Sequence, residues 1–520
     1  MRKSFALLVL FVLFLTAVSV TTSRAAGAAT NAATSTRLFA LVRQPASVGP
    51  ADTLPLRLRI KPASPKGLVV RVRLHNHIDT RSGFEETVAG RQLGREIDSA
   101  QVSLDNAPAG AGVVTARFGM PDAKLPSSQT LHPSADPPGV YPLEVELLAG
   151  GVPVDHFLTW LVYVPAAGQR AIAEPLSLAW VWSVVAPPAH ESDGTTPDPN
   201  VLSEMAPGGR LERIASLLVL ARNGKVPLTL DVSPETLQSW LTFAQERRQL
   251  DPGATALRIA ANSSDNQLLA EPYVPIDLPA FERAGFGPYL ADQMLAGSDT
   301  LRDLAGVRQD TRTVAVEPVD DAAIGLLRKL LFDRVLVREE RLAPRRPNLT
   351  PARPFKLSVP GNATIDATST NPTVANWLNG TESPALRAQR FLAGLSLIAM
   401  EAPNLPRGIV VATPRNWKPD RSAVAHVLSG LQQDPLVRPV TLNDYFTKVP
   451  PDTDRDKNDA PLVRQLLPSK PSSYPITAIE YQHARQSLDS FRGVVGSKDR
   501  SIALGQQALL LALSSAFTPA

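Results

Sequence analysis

Leu176-Ser177-Leu178-Ala179-Trp180-Val181-Trp182-Ser183-Val184-Val185 is the stretch whose reading decides the fold. It is apolar at nearly every position, so a strand with one wet face does not fit it. A strand buried on both faces does, and such strands belong to largely parallel sheets covered by helices. The chain that follows keeps the matching rhythm. Gly208-Gly209 opens an amphipathic helix over residues 210–223, closed at Gly224. Residues 226–231 read as the next strand, and Ser233-Pro234 starts a helix with proline in its first turn. Residues 313–317, 320–332 and 333–337 read as strand, helix and strand. Residues 384–400, 408–412 and 422–433 read as helix, strand and helix. Repeated units of this kind imply a mainly parallel sheet, open or closed into a barrel. Ligands on such sheets sit at the carboxyl ends of the strands.

Upstream, from 37 to 165, the period changes to two. Residues 54–60 and 68–74 alternate apolar and basic or polar, and 113–118, 139–147 and 157–164 continue the series. Prolines between such runs mark an antiparallel sheet with one wet face, of immunoglobulin-like β-sandwich size. Downstream, residues 450–457 are a polar linker. After it, 474–516 form a helical C-terminal segment, with helices over 476–492 and 501–516 that are too short or too polar to cross a membrane.

The first 28 residues have a signal peptide's layout. Arg2 and Lys3 precede the apolar run 5–20, and Ala26-Gly27-Ala28 offers a cleavage site, with Ser23-Arg24-Ala25 a second. The chain is expected to be exported, secreted to the cell envelope, with no transmembrane helix in its mature part. Cleavage would remove Arg2, Lys3 and Arg24 and no acid, lowering the formal net charge from +4 to +1. A nearly neutral protein lacks the basic stripe of a nucleic-acid binder. With no cysteine, stability outside the cytoplasm must come from burial rather than disulfides. The 48 prolines against 31 glycines argue against a mostly helical chain.

Several stretches carry a family resemblance. They are Pro227-Leu228-Thr229-Leu230-Asp231-Val232-Ser233-Pro234, residues 273–281, Val314-Ala315-Val316-Glu317-Pro318, residues 407–417 and Val440-Thr441-Leu442, with Gly139-Val140-Tyr141-Pro142-Leu143 upstream. Together they resemble secreted, envelope-associated actinobacterial proteins of unknown function often encoded beside the lipid II flippase. Members of that family usually continue into another β-domain and a C-terminal membrane helix, which are not in this sequence. More distantly, the pattern is similar to α-amylase-like glycoside hydrolases and polysaccharide deacetylases on irregular (β/α) barrels. In those hydrolases a catalytic Glu follows the proline of the strand that ends here at Pro318, and Val319 stands in its place. Imidazoles expected near Tyr273 are replaced by Val274, Pro275 and Ile276. The resemblance therefore implies a degenerate barrel over 172–449, in a multidomain β plus α/β chain.

The site residues follow from strand ends. Glycoside hydrolysis takes two carboxyl groups across the sugar bond, and Asp231 and Glu317 each end a strand, with Asp277, Asp320 and Asp321 in reserve. Asp231 before Ser-Pro equally suits a turn, and Asp320 and Asp321 suit a helix N-terminus. Trp180, Trp182, Tyr273, Arg415 and Trp417 lie at or beyond strand ends, where aromatic rings and a guanidinium hold a sugar. Packed into the core, the same tryptophans bind nothing. A metal site is not expected. Of the histidines (His75, His77, His132, His156, His190, His426, His483) no pair has helical i, i+4 spacing, and His75 with His77 reads as a solvated strand face. No cofactor is expected either, since phosphate-binding loops and nucleophile elbows are absent from the sequence. The expected function is non-catalytic binding or scaffolding, with a cell-wall glycan or an envelope protein as partner. The alternative is an extracellular glycoside hydrolase or deacetylase-like enzyme using Asp231 and Glu317.

Overall fold

The computed structural model describes residues 39–517 except 62–65, 107–111, 134–137, 165–173, 190–196, 308, 316, 345–348, 362, 456–461, 469–472 and 475. The expected signal peptide and His190 lie outside the described residues.

Alternation in the first third becomes two antiparallel sheets. Strands β1 (Phe39–Arg43), β2 (Thr53–Ile60) and β5 (Val113–Gly119) form one, in the order β1-β2-β5. Strands β3 (Leu68–His75), β4 (Glu96–Ser103), β6 (Gly139–Ala149) and β7 (Val152–Tyr163) form the other, in the order β4-β3-β6-β7. Leu54, Leu56 and Leu58 of β2 and Val70, Val72 and Leu74 of β3 point into one apolar core shared by both sheets. The arginines between them point outward, as period two requires. His75 corrects the expectation of a solvated face: it is buried, its Nδ1 3.2 Å from the Gly94 carbonyl. His77 lies beyond the strand and pairs with Asp79 at 2.8 Å.

The remaining strands make one ten-stranded sheet. They are β8 (Leu176–Val184), β9 (Thr229–Val232), β10 (Gln267–Leu268), β11 (Thr313–Ala315), β12 (Arg334–Arg338), β13 (Phe355–Val359), β14 (Ala363–Thr370), β15 (Gly408–Ala412), β16 (Val437–Val440) and β17 (Val463–Arg464). The main path runs β10-β9-β8-β15-β14-β12-β11, and every pairing along it is parallel. β16 pairs with the first half of β8 and β9 with the second. The antiparallel hairpin β13–β14 adds an element that the βα rhythm did not predict. Gly408 lets β15 start close to β8, because a Cβ there would lie 2.7 Å from the Ser177 carbonyl oxygen.

β8 is buried on both faces, and its two faces meet different things. Leu178, Trp180, Trp182 and Val184 pack into the larger core under the helices, with Leu211, Leu218, Trp240 and Phe391. Ala179 and Val181 face a smaller inner cluster with Leu269, Leu336, Val410 and Tyr445. Helix Pro384–Met400 belongs to both parts of the molecule: Ala385 and Leu386 complete the core of the small sheets, and Phe391 to Ala399 that of the parallel sheet. Helix Arg210–Asn223 ends at Gly224 as expected, but the left-handed residue is the next one, Lys225. The last helices, Ala478–Val495 and Arg500–Ala512, pack Tyr481 and Leu513 beside Phe281, Phe286 and Leu357. Among the described residues no helix is long and apolar enough to cross a membrane.

Candidate functional site at the strand ends

The carboxyl ends of β8, β9, β11, β12, β14 and β15 surround a cleft of about 240 Å³. Its wall contains Ser183, Asp231, Glu317, Arg338, Asn371, Thr413 and Arg415. Ser183 and Asp231 are register partners on adjacent parallel strands, so their side chains share a face. The Ser183 hydroxyl donates to Asp231 Oδ2 at 2.7 Å, and the Ser183 amide donates to Thr413 Oγ1 at 2.9 Å.

Behind Asp231 stands Glu271, three residues past the end of β10 and only 2 % exposed. Burial pushes its carboxyl well above the usual carboxylate range; the Asp231 charge and hydrogen bond add to this, and Arg415 opposes it. Arg415 Nη2 is 4.0 Å from Glu271 Oε2. Burial and the neighbouring Asp231 thus both favour the protonated form of Glu271, which can donate a hydrogen bond to Asp231. Sequence reasoning missed Glu271. The available signal was a lone acid in the apolar run 268–276, where an unpaired charge is costly.

Glu317 is on the same cleft, about half-exposed, with its Oε1 2.5 Å from Arg338 Nη2. Asp231 and Glu317 are thus brought to one cavity, but each already has a protein partner. The reserves are elsewhere. Asp277 and Asp320 cap helices, accepting from the Ala280 and Ala323 amides at 2.9 Å, and Asp321 opens the helix that Asp320 caps.

Arg415 is held in place from below. Buried Arg210 donates to the Arg415 carbonyl at 2.7 Å, to the Val185 carbonyl at 2.7 Å and to Glu204 at 2.5 Å, tying the loop after β15 to the loop after β8. Trp417 is half-buried, its ring edge-on to Trp182 at 5.4 Å between centroids. Trp180 and Trp182 are fully buried on the helix side of β8, opposite to Ser183, and offer a ligand no surface. Tyr273 is also interior: its hydroxyl donates to Gln238 at 2.8 Å and accepts from Gln507 at 3.3 Å. Of the five residues expected to bind a ligand, only Arg415 lines the cleft, and Trp417 packs against the helix-side core at Trp182. Among the described residues no three His, Cys, Asp or Glu side chains converge as a metal set.

No curated protein matches this chain in sequence. Several solved structures resemble it at low identity. The 4-α-glucanotransferase of Thermococcus litoralis is 11 % identical over 63 % of this chain and 46 % of its own, at a TM-score of 0.41. The α-amylase of Thermotoga maritima is 10 % identical over 66 % and 87 %, at 0.42. A Mycobacterium smegmatis protein described as a polysaccharide deacetylase is 16 % identical over 54 % and 94 %, at 0.34. The chain spans just under half the length of the glucanotransferase. Residues 361–518, which include β14, β15 and the last two helices, match a family of unknown function, DUF6049.

Proposed function

We propose that this is an exported cell-envelope protein whose strand-end cleft binds a carbohydrate without cleaving it. One observation carries the non-catalytic part. Glu271, whose carboxyl burial pushes well above the usual carboxylate range, lies outside the cleft wall, behind Asp231. The exposed acid, Glu317, is bound to Arg338. Of the acids that line the cavity, Asp231 accepts from Ser183 and Glu317 is paired with Arg338, which leaves exposed Glu340 alone among the described lining residues where glycoside hydrolysis takes two carboxyl groups. The other polar lining residues, Arg338, Asn371, Asn376, Thr413 and Arg415, suit hydroxyl groups, and the volume suits about one sugar ring. Export is supported by the apolar run at 5–20 and its flanks. A cell-wall glycan is the favoured ligand, and an envelope protein the other candidate partner.

The same proposal includes the architecture. We read the two antiparallel sheets around their shared core as an immunoglobulin-like β-sandwich, and the parallel sheet as an irregular (β/α) barrel. The barrel reading is supported where the outer strands β10 and β11 approach. There the Asp310 amide donates to the Leu268 carbonyl at 2.8 Å and Gln267 Nε2 to Asp310 Oδ2 at 2.5 Å.

A second reading, hydrolysis, is favoured by the fact that Asp231 and Glu317 line one cleft. A glycan array with wild type, Arg415→Ala and Trp417→Ala, run beside a reducing-end assay on the glycans that bind, separates the two. Binding that Arg415→Ala abolishes, with no new reducing ends, is expected. Reducing ends that disappear in Glu317→Gln would establish the hydrolase, and an array with no positive glycan would sink the binding proposal.

A further inference from the structure

A second pocket lies away from the strand-end cleft, where the outer face of the small sheet β1-β2-β5 meets helices Pro384–Met400 and Arg421–Leu431. Its volume is about 410 Å³, and Arg43, Arg57, Arg117 and His426 line it with no acidic side chain among the lining residues. Arg43 and Arg57 are direct cross-strand partners. Arg57 pairs with Thr115 and Pro55 with Arg117, so all three guanidinium groups project from one face. Like charges set opposite each other in a sheet are destabilising.

The other small sheet shows what the chain does with such arginines when they serve the fold. Arg71 donates to Glu146 at 2.6 Å, and Arg73 reaches Glu144 at 2.5 Å and Glu146 at 3.3 Å. Each outward arginine on that sheet has a carboxylate. On β1-β2-β5, Arg43, Arg57 and Arg117 make no ion pair among the described residues. The nearest acid that acts on His426 is Asp420, and Asp420 is taken by Arg387. The wall opposite the arginines is firm: Gln389 of the long helix, buried, donates to the Pro45 carbonyl at 3.3 Å and the Trp160 carbonyl at 3.2 Å.

We propose that this pocket is an anion-binding site for a small organic phosphate or carboxylate, held by the guanidinium groups of Arg43, Arg57 and Arg117. Guanidinium forks match both oxyanions in two-point hydrogen bonds. The volume lies within the roughly 300–1,000 Å³ of small-molecule pockets, so the charged group arrives on a body of about sugar size. The site is independent of the strand-end cleft and of what that cleft binds.

The test is calorimetric titration of the whole protein with glucose 1-phosphate, glucuronate, inorganic phosphate and uncharged glucose. Glucose 1-phosphate or glucuronate binds and glucose does not, and raising the salt weakens the complex. The ratio of the two affinities says which oxyanion the site takes. In the Arg57→Ala/Arg117→Ala double variant the dissociation constant rises about tenfold or more. Arg57→Lys, which keeps the charge but not the fork, falls between the two. Far-ultraviolet circular dichroism matching wild type shows that the variants fold. Failure of all three anions to bind, or anion binding that the double variant leaves unchanged, overturns the assignment.

Discussion

Glu271 and Asp231 face each other as a buried carboxyl pair, one behind the cleft wall and one in it, with Arg415 4.0 Å from Glu271. Glu271→Gln keeps a donor toward Asp231 and is expected to change stability by less than about 1 kcal/mol. Glu271→Ala leaves the Asp231 oxygen buried without a donor and costs about 1–3 kcal/mol. Urea denaturation of the two variants at pH 7 checks the order.

Stability should fall as pH rises, and Glu235 makes this measurable. It is buried, accepts from the Ala189 amide at 2.9 Å and the Ser239 hydroxyl at 2.8 Å, and burial pushes its carboxyl up to about 7. A carboxyl raised in the folded state holds a proton that the unfolded chain has already lost. Its contribution is therefore complete below the unfolded value of 4.5 and declines as pH rises toward about 7. The loss is on the order of 3 kcal/mol, at about 1.4 kcal/mol per pH unit. Asp434, also raised to about 7 by burial, acts in the same direction. Thermal melts from pH 5 to 8 should show a shallower decline for Glu235→Gln than for wild type; equal slopes would refute this account of Glu235.

Arg210 should matter for the cleft although it is not in it. Arg210→Ala removes the bonds to the carbonyls of Val185 and Arg415 and leaves Glu204 unpaired. A loss of about 3 kcal/mol is expected, typical of breaking a buried charged network. Glycan binding should weaken in the same variant, because Arg415 loses its support.

The tryptophans should separate by role. Trp182→Ala empties a fully buried site in the main core and is expected to cost about 3–5 kcal/mol. Trp417→Ala, half-buried, should cost less and show its larger effect on the glycan array. A Trp417→Ala protein as unstable as Trp182→Ala would make Trp417 a core residue only.

Outward arginines of the two small sheets should respond oppositely. Arg71→Ala removes the 2.6 Å partner of Glu146, whose side chain is only 7 % exposed and keeps Arg73 at 3.3 Å, and should destabilise by about 1 kcal/mol. Arg57→Ala relieves a like-charge pair and should leave stability within about 0.5 kcal/mol of wild type or raise it. Urea midpoints for the pair of variants give the comparison directly.

Much of the secondary structure was legible because period and punctuation are local. Helices Arg210–Asn223 and Pro384–Met400 and strand Gly408–Ala412 lie where pattern and capping put them. The elements that were missed have weak local signals. β10 and β17 are two residues long, and β13–β14 is a hairpin inserted among parallel units. Asp231 and Glu317 were legible as strand-end acids. Glu271 was not, because it follows a strand too short to announce itself.

By itself the sequence determined that residues 176–184 form a strand buried on both sides, and that Trp180 and Trp182 share one face while Val181 and Ser183 share the other. Period two guarantees that separation in any sheet. Which face met the helices and which met the strand-end cavity was decided only by the tertiary structure, through packing of the tryptophans against Phe391 and Trp417. The partners of Asp231 were decided there too. Ser183 reaches it from the neighbouring strand and Glu271 from the loop after β10, 48 and 40 residues away in the chain, and no local pattern encodes a distance across a sheet.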